Sequence, residues 1–486
     1  MIATETAIET LKFFVNGKWE VPGVRPLHDI TNPAAARTIA RVPYAIADDI
    51  DRTAQAAHEA FLRWRDVPVV DRVQVLYRYK DLMEKHAEDL ARTLTGENGK
   101  TLEDARAEIR RAIQMVEVSC GMPSLMMGQS LENVSRGIDC HTIRQPLGVC
   151  AGITPFNFPG MVPSWMYPFA IACGNSFILK PSEKVPMTPT RMAELLEQAG
   201  LPAGVFNLVH GDKVAVDALL AHPRVRAISF VGSTPIAKYI YETSAKNGKR
   251  VQALGGAKNH LVVMPDADLD KTTDAIISSA FGAAGERCLA GSILVPVGAA
   301  AEPLLKMLLE KTRKITVGDG VDSDTQMGPL VTEAHRKRVE GYVEKGVAEG
   351  ATPLCDGRET SAKDGYFLGP TIFDNVTTDM TIAREEIFGP VLSVIRVKDL
   401  DAAVDLVNHS PFGNTTSIFT GDGKAAREYA ARVEAGMIGV NIGVAAPMAF
   451  FPFSGWKQSF FGDLHAHGRD AIAFYTEQKV IMTRWF

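Results

Sequence analysis

From position 148 the chain alternates short apolar runs with amphipathic stretches, and this pattern restricts its fold more than any other feature. The runs lie at 148–153, 176–180, 205–209, 227–231 and 261–264. Stretches with helical spacing, such as Thr188 to Ala199 and Ala215 to Ala221, separate the first four. Another, from Ile236 to Lys246, precedes the last. Short runs without polar alternation suit strands covered on both faces by crossover helices. The pattern therefore predicts a parallel α/β sheet with ligands at the carboxyl ends of its strands.

A second α/β stretch begins near position 260 and runs to about 440. Its helical segments are 268–283 and 331–348, and its strand-like runs are 293–297 and 391–397. Nearer the start, Phe13-Phe14-Val15-Asn16-Gly17-Lys18-Trp19 predicts two short strands around an Asn-Gly turn, since both turn residues tolerate positive φ. Ala47 to Arg65 and Asp71 to Leu94 have helical spacing, broken at Pro68. The last thirty residues return to a strand pattern around Gln478 to Met482. A chain of 486 residues implies two or three domains, and no linker composition separates them.

The net charge of −5 gives no reason to expect nucleic acid or an anionic membrane as partner. No apolar run approaches the ~20 residues that span a bilayer. The segment Met1 to Thr10 is acidic without a basic residue, so it does not read as a secretory signal. Six cysteines are scattered without a C-x-x-C pair, which predicts no zinc site, reduced thiols and a cytoplasmic protein.

Five segments have residue types suited to chemistry. In Phe281-Gly282-Ala283-Ala284-Gly285-Glu286-Arg287-Cys288, glycines ahead of a cysteine allow a sharp turn that exposes the sulfur. A thiolate is a strong nucleophile, although a cysteine also serves as a small buried apolar residue. Asn157, between Pro155 and Pro159, can donate its amide to an oxyanion or simply occupy a turn. Lys180 and Glu183 follow a strand and suit ribose hydroxyls or a solvated charge pair. Phe230-Val231-Gly232-Ser233-Thr234 joins a strand to a helix start, where free N–H groups suit a phosphate. It lacks the full G-x-G-x-x-G fingerprint. Arg384-Glu385-Glu386-Ile387-Phe388-Gly389-Pro390 places two carboxylates before an apolar strand.

In this order the five segments resemble the aldehyde dehydrogenase superfamily, over almost the whole chain from Val15-Asn16-Gly17 to the closing strand. The resemblance implies that Cys288 attacks the aldehyde carbon, with Asn157 and the Cys288 N–H holding the oxyanion. It implies NAD as cofactor, with Lys180 and Glu183 on the adenine ribose and Ser233 on the pyrophosphate. Glu386 then binds the nicotinamide ribose and Phe388 packs beside the ring. Thr154, Phe156, Lys184 and Gly255 complete the implied cofactor contacts, and no metal is implied. A carboxylate at Glu183 repels the extra phosphate of NADP. Ala237 stands where many relatives have a glycine in the phosphate helix.

One departure is informative. Hydrolytic members read Glu-Leu-Gly-Gly-Lys where this chain has Ala253-Leu254-Gly255-Gly256-Ala257-Lys258. Aligned with an extra Ala257, the base that would activate water is replaced by Ala253, which cannot take a proton. Gly-Ala-Lys-Asn-His, Gly-Glu-Arg-Cys, Pro-Phe-Asn-Phe-Pro and Phe453-Ser454-Gly455-Trp456-Lys457 resemble the CoA-acylating methylmalonate-semialdehyde dehydrogenase branch. That branch implies coenzyme A as co-substrate and loss of the substrate's β-carboxylate, yielding propionyl-CoA or acetyl-CoA. Arg111 and Arg287 match arginines that hold the carboxylate there. Alternatives are a hydrolytic aldehyde dehydrogenase giving a free acid, and a non-catalytic structural relative. Ala253 argues against the first, and retention of Cys288, Asn157 and Glu386 against the second.

The resemblance also implies a Rossmann-like NAD domain (1–119 and 141–252), a catalytic α/β domain (253–440), and a bridging β element (120–140 and 457–486). The expected assembly is a homotetramer, a dimer of dimers.

Overall fold

A computed structural model describes residues 8–360, 362 and 364–486, so the first seven residues of the acidic segment Met1 to Thr10 lie outside the described residues. Two large sheets organise the chain. The first has eight strands, in the order Phe460–Phe461, Arg250–Leu254, Val225–Val231, Val149–Ile153, Ser176–Lys180, Phe206–Leu208, Phe13–Val15, Lys18–Glu20. Its five central strands are parallel, and the outer pairings at both edges are antiparallel. The edge hairpin turns at Asn16 and Gly17, both with positive φ, as the Asn-Gly pair predicts.

The second sheet has seven strands, in the order Thr352–Cys355, Thr371–Asp374, Val391–Val394, Gly291–Pro296, Asn259–Val263, Thr415–Phe419, Met437–Val440, parallel except for the first. Each large sheet is packed by its own apolar clusters. The chain crosses from the first sheet to the second within Gly255–Lys258. A separate antiparallel sheet joins Ser130–Ser135, Ile138–Pro146 and Thr476–Arg484. No described helix is long and apolar enough to cross a membrane.

Two local expectations change. The run at 261–264 pairs with Gly291–Pro296 and Thr415–Phe419, so it belongs to the second sheet. Its place beside Val225–Val231 is taken by Arg250–Leu254, which has a polar centre. Gln252 is fully buried there, accepting from the Ser229 hydroxyl and donating to the Leu464 and His465 carbonyls, so a buried strand has no apolar signature. The helical stretch from Asp71 to Leu94 is two helices, Val69–Lys85 and Ala87–Asn98, meeting at His86. Apolar spacing continues across that break because both helices pack on one cluster.

Candidate active site

Strand Val149–Ile153 lies at the centre of the first sheet. The chain continues to one side through Ser176–Lys180 and Phe206–Leu208, then to the other through Val225–Val231 and Arg250–Leu254. Strand order reverses beside Val149–Ile153, and the diverging crossovers open a crevice at the carboxyl ends. A cavity of about 560 Å³ occupies it. Thr154, Phe156, Lys180, Glu183, Lys184, Ser233 and Gly255 line it from the first sheet. Glu386 and Phe388 line it from the second, and both Asn157 and Cys288 border it.

Each wall has a local cause. Lys180 is buried at the end of its strand, donating to the Gly211 carbonyl at 2.9 Å and lying 3.5 Å from the Glu183 carboxylate. Ser233 precedes helix Thr234–Lys246, yet its hydroxyl makes no capping bond, which leaves the first-turn N–H groups for an anion. Ala237 is buried in that helix, in the apolar cluster containing Ile153 and Phe230. Phe156 and Phe388 meet edge to face at 5.7 Å, and Lys184 sits 4.7 Å above the Phe156 ring. Glu386 accepts from the Ala257 N–H at 2.9 Å, and burial pushes its carboxyl up to about 7. Gly256 passes so close that a Cβ there would run into the Glu386 carboxylate.

Cys288 follows the turn Gly282–Gly285, where Ala283, Ala284 and Gly285 have φ of 48°, 53° and 71°. Three left-handed residues in succession reverse the chain after helix Leu269–Phe281. At Gly285 the requirement is absolute, because a Cβ would collide with the Gly389 carbonyl. The Cys288 carbonyl accepts from Asn259 Nδ2 at 2.9 Å and Asn414 Nδ2 at 2.8 Å. Two side-chain amides thus hold the backbone of Cys288. Its thiol is pushed up to about 12, first by burial and then by the Glu386 carboxylate. Iodoacetamide should therefore alkylate Cys288 about tenfold faster per unit rise from about pH 7 to about pH 9, because only the thiolate reacts. A rate that is flat over this range would mean that the thiol already ionises in the free protein.

On its other side Cys288 borders a smaller cavity of about 170 Å³, walled by Phe158, Trp165 and Phe453. Arg111, Arg287 and Asp104 also line it. The two arginines expected from the sequence differ in state. Arg287 pairs with Asp104 Oδ1 at 2.5 Å and donates to the Ser278 carbonyl at 3.2 Å. Arg111 meets only the Gln114 amide oxygen at 3.2 Å and the Met448 sulfur at 3.0 Å, with no acidic partner among the described residues.

The position of the missing base is corrected by one residue. Ala253 faces the cluster with Ile153, Phe230 and Ala237, on the side of helix Thr234–Lys246. Strand alternation turns Leu254 to the opposite face, into the cluster that packs Cys288, Phe158 and Leu289. The apolar residue on the Cys288 side is therefore Leu254, which is equally unable to take a proton.

The model of the aldehyde dehydrogenase family matches residues 22–481. The chain belongs to the aldehyde dehydrogenase family. It is 52% identical over 478 residues to a malonate-semialdehyde dehydrogenase of Halalkalibacterium halodurans, covering 98% of this chain and 99% of that one. Among solved structures, methylmalonate-semialdehyde dehydrogenase from Oceanimonas doudoroffii aligns with a TM-score of 0.97 at 47% identity, over 98% and 99% of the two chains. A Sinorhizobium meliloti chain solved with NAD, provisionally named methylmalonate-semialdehyde dehydrogenase, gives 0.97 at 44% identity, over 99% of each.

Within this family fold, several residues at the site have no sequence signal of their own. Asp104 and Glu108 lie on one face of helix Leu102–Cys120 with Arg111, where helical spacing reads only as amphipathic. His335 and Arg338, three apart on helix Glu333–Ala348, border the large cavity. Asn259 stands in the Lys-Asn-His motif but acts through the Cys288 carbonyl, a contact that only the fold creates.

Proposed function

We propose that the protein oxidises malonate or methylmalonate semialdehyde with NAD and transfers the acyl group to coenzyme A through a thioester on Cys288. Arg111 carries this reading. It is an acid-free guanidinium in a small apolar cavity bordered by Cys288. A β-carboxylate can pair with this guanidinium through two parallel hydrogen bonds, which would place the aldehyde at the sulfur.

The large cavity fits a dinucleotide. Glu183 and Lys180 would meet the adenine ribose, the helix start at Ser233 the diphosphate, and Glu386 with Phe388 the nicotinamide end. NAD, when bound, supplies the acceptor for the two electrons of the aldehyde C–H bond. Glu183 selects against a ribose phosphate, so Glu183→Gln should improve kcat/KM for NADP at least about tenfold relative to NAD. An unchanged ratio would remove Glu183 from that role.

The chain's own groups account for the remaining steps. The Cys288 thiol gives its proton to solvent and its sulfur bonds to the aldehyde carbon, and the new oxyanion is held by the Asn157 amide and the Cys288 N–H. Asn157 is buried, and its side-chain amide has no partner among the described residues. After oxidation the thioester carbonyl accepts the electron pair of the breaking bond to the carboxylate. Carbon dioxide leaves and the α-carbon takes a proton. The thiol of coenzyme A then attacks the thioester carbon and releases Cys288. Leu254 keeps the Cys288 side apolar, which disfavours water as the acceptor.

The same reading makes the protein a cytoplasmic homotetramer, supported by exposed Leu131, Val480, Met482 and Trp485 on or beside the three-stranded sheet. The test of function is product analysis with malonate semialdehyde, NAD and coenzyme A. Acetyl-CoA and carbon dioxide in equal amounts with NADH support the reading. Malonyl-CoA or a free acid as main product would refute it.

A further inference from the structure

The two halves of the proposed oxyanion site lie on different sheets, Asn157 after a strand of the first and Cys288 before a strand of the second. Their separation therefore depends on how the two sheets are registered. The backbone around Asn157 is held by side chains that the reaction does not use. Lys100 Nζ donates to the Asn157 carbonyl at 2.7 Å and to Glu108 Oε2 at 2.6 Å, and it lies 4.2 Å above the Phe158 ring. Glu108 Oε1 accepts from the Gly160 and Met161 N–H groups at 2.8 and 3.1 Å. Asn98 Nδ2 donates to the Phe156 carbonyl at 3.0 Å. Every backbone group so held lies within four residues of Asn157.

The ion pair is almost fully buried, with side chains 1% and 0% exposed. Such a pair contributes little net stability over an apolar replacement, so its presence here calls for another cause. The loop carrying Lys100 supplies it. The Leu102 N–H donates to the Gly320 carbonyl at 2.9 Å. Gly320 and Gly328, in the segment between Thr312 and Glu333 on the second-sheet side, press on this loop so closely that a Cβ on either would strike its backbone. One face of the loop thus rests on the second-sheet side while its lysine grips the Asn157 backbone.

We infer that Lys100 and Glu108 are positioning residues that register the Asn157 amide against Cys288 across the junction between the sheets. The inference rests on the oxyanion role proposed for Asn157.

The test is a double-mutant cycle read by the burst rate of NADH formation from malonate semialdehyde. Lys100→Met and Glu108→Gln are each made alone and with Asn157→Ala. Each single substitution should lower the burst rate about 10²-fold, while KM stays within about threefold. In the Asn157→Ala background the same substitutions should cost less than about threefold, because the group they position is gone. Glu108→Gln should also speed amide exchange at Gly160 and Met161. Equal costs in both backgrounds, or single variants within about threefold of wild type, would overturn the inference. If Lys100→Met does not fold, the nearly isosteric Glu108→Gln decides by the same criteria. An undiminished burst in Asn157→Ala itself would overturn the oxyanion role, and the positioning role with it.

Discussion

Replacing Cys288 with alanine should abolish NADH formation from every aldehyde, by about 10⁵-fold or more, while NAD still binds. The effect is this large because, in the proposed mechanism, the sulfur is the group to which the acyl unit is bonded, and no nearby cysteine can replace it. Cys150 and Cys173 are fully buried in the first sheet and its covering helix, and Cys140 lies in the three-stranded sheet. Steady-state rates with malonate semialdehyde and with propanal check the prediction. Nucleotide binding, followed by fluorescence quenching, separates lost chemistry from lost fold. Residual turnover above about one part in 10³ would mean that another group forms the covalent adduct.

Arg111→Met should lower kcat/KM for malonate semialdehyde about 10²- to 10³-fold and leave propanal oxidation within about threefold. Arg111 has no acidic partner, so its loss removes the unpaired cation and leaves no protein carboxylate stranded. Arg287 contributes less in the free protein, because Asp104 already occupies it. Equal losses for both aldehydes would show that Arg111 supports the cavity wall and has no contact with substrate charge.

Much of this site could be read along the chain because the fold gathers it from strand ends. Thr154, Lys180 and Ser233 each close or follow a strand of the first sheet, and a parallel sheet brings such positions together. Cys288 was legible for a different reason, since Gly282 and Gly285 mark a turn that a strand or helix would not contain. What stayed hidden depends on long-range pairing or on face. Strand Arg250–Leu254 is buried through a side-chain hydrogen bond at Gln252, and local hydropathy does not register such a bond. The choice between Ala253 and Leu254 turns on strand parity, which an added residue in a glycine-rich turn obscures. Lys100 and Glu108 look like surface charges in the sequence, because burial of an ion pair is decided by residues around 157 and 320.

The most direct measurement follows NADH formed from malonate semialdehyde with and without coenzyme A. The thioester on Cys288, with Leu254 in place of a base, predicts a burst of one NADH per active site without coenzyme A. Multiple turnovers, yielding acetyl-CoA, should begin only when coenzyme A is added. Steady turnover without coenzyme A, releasing a free acid, would show that some group at the site activates water and would contradict the proposed acyl transfer.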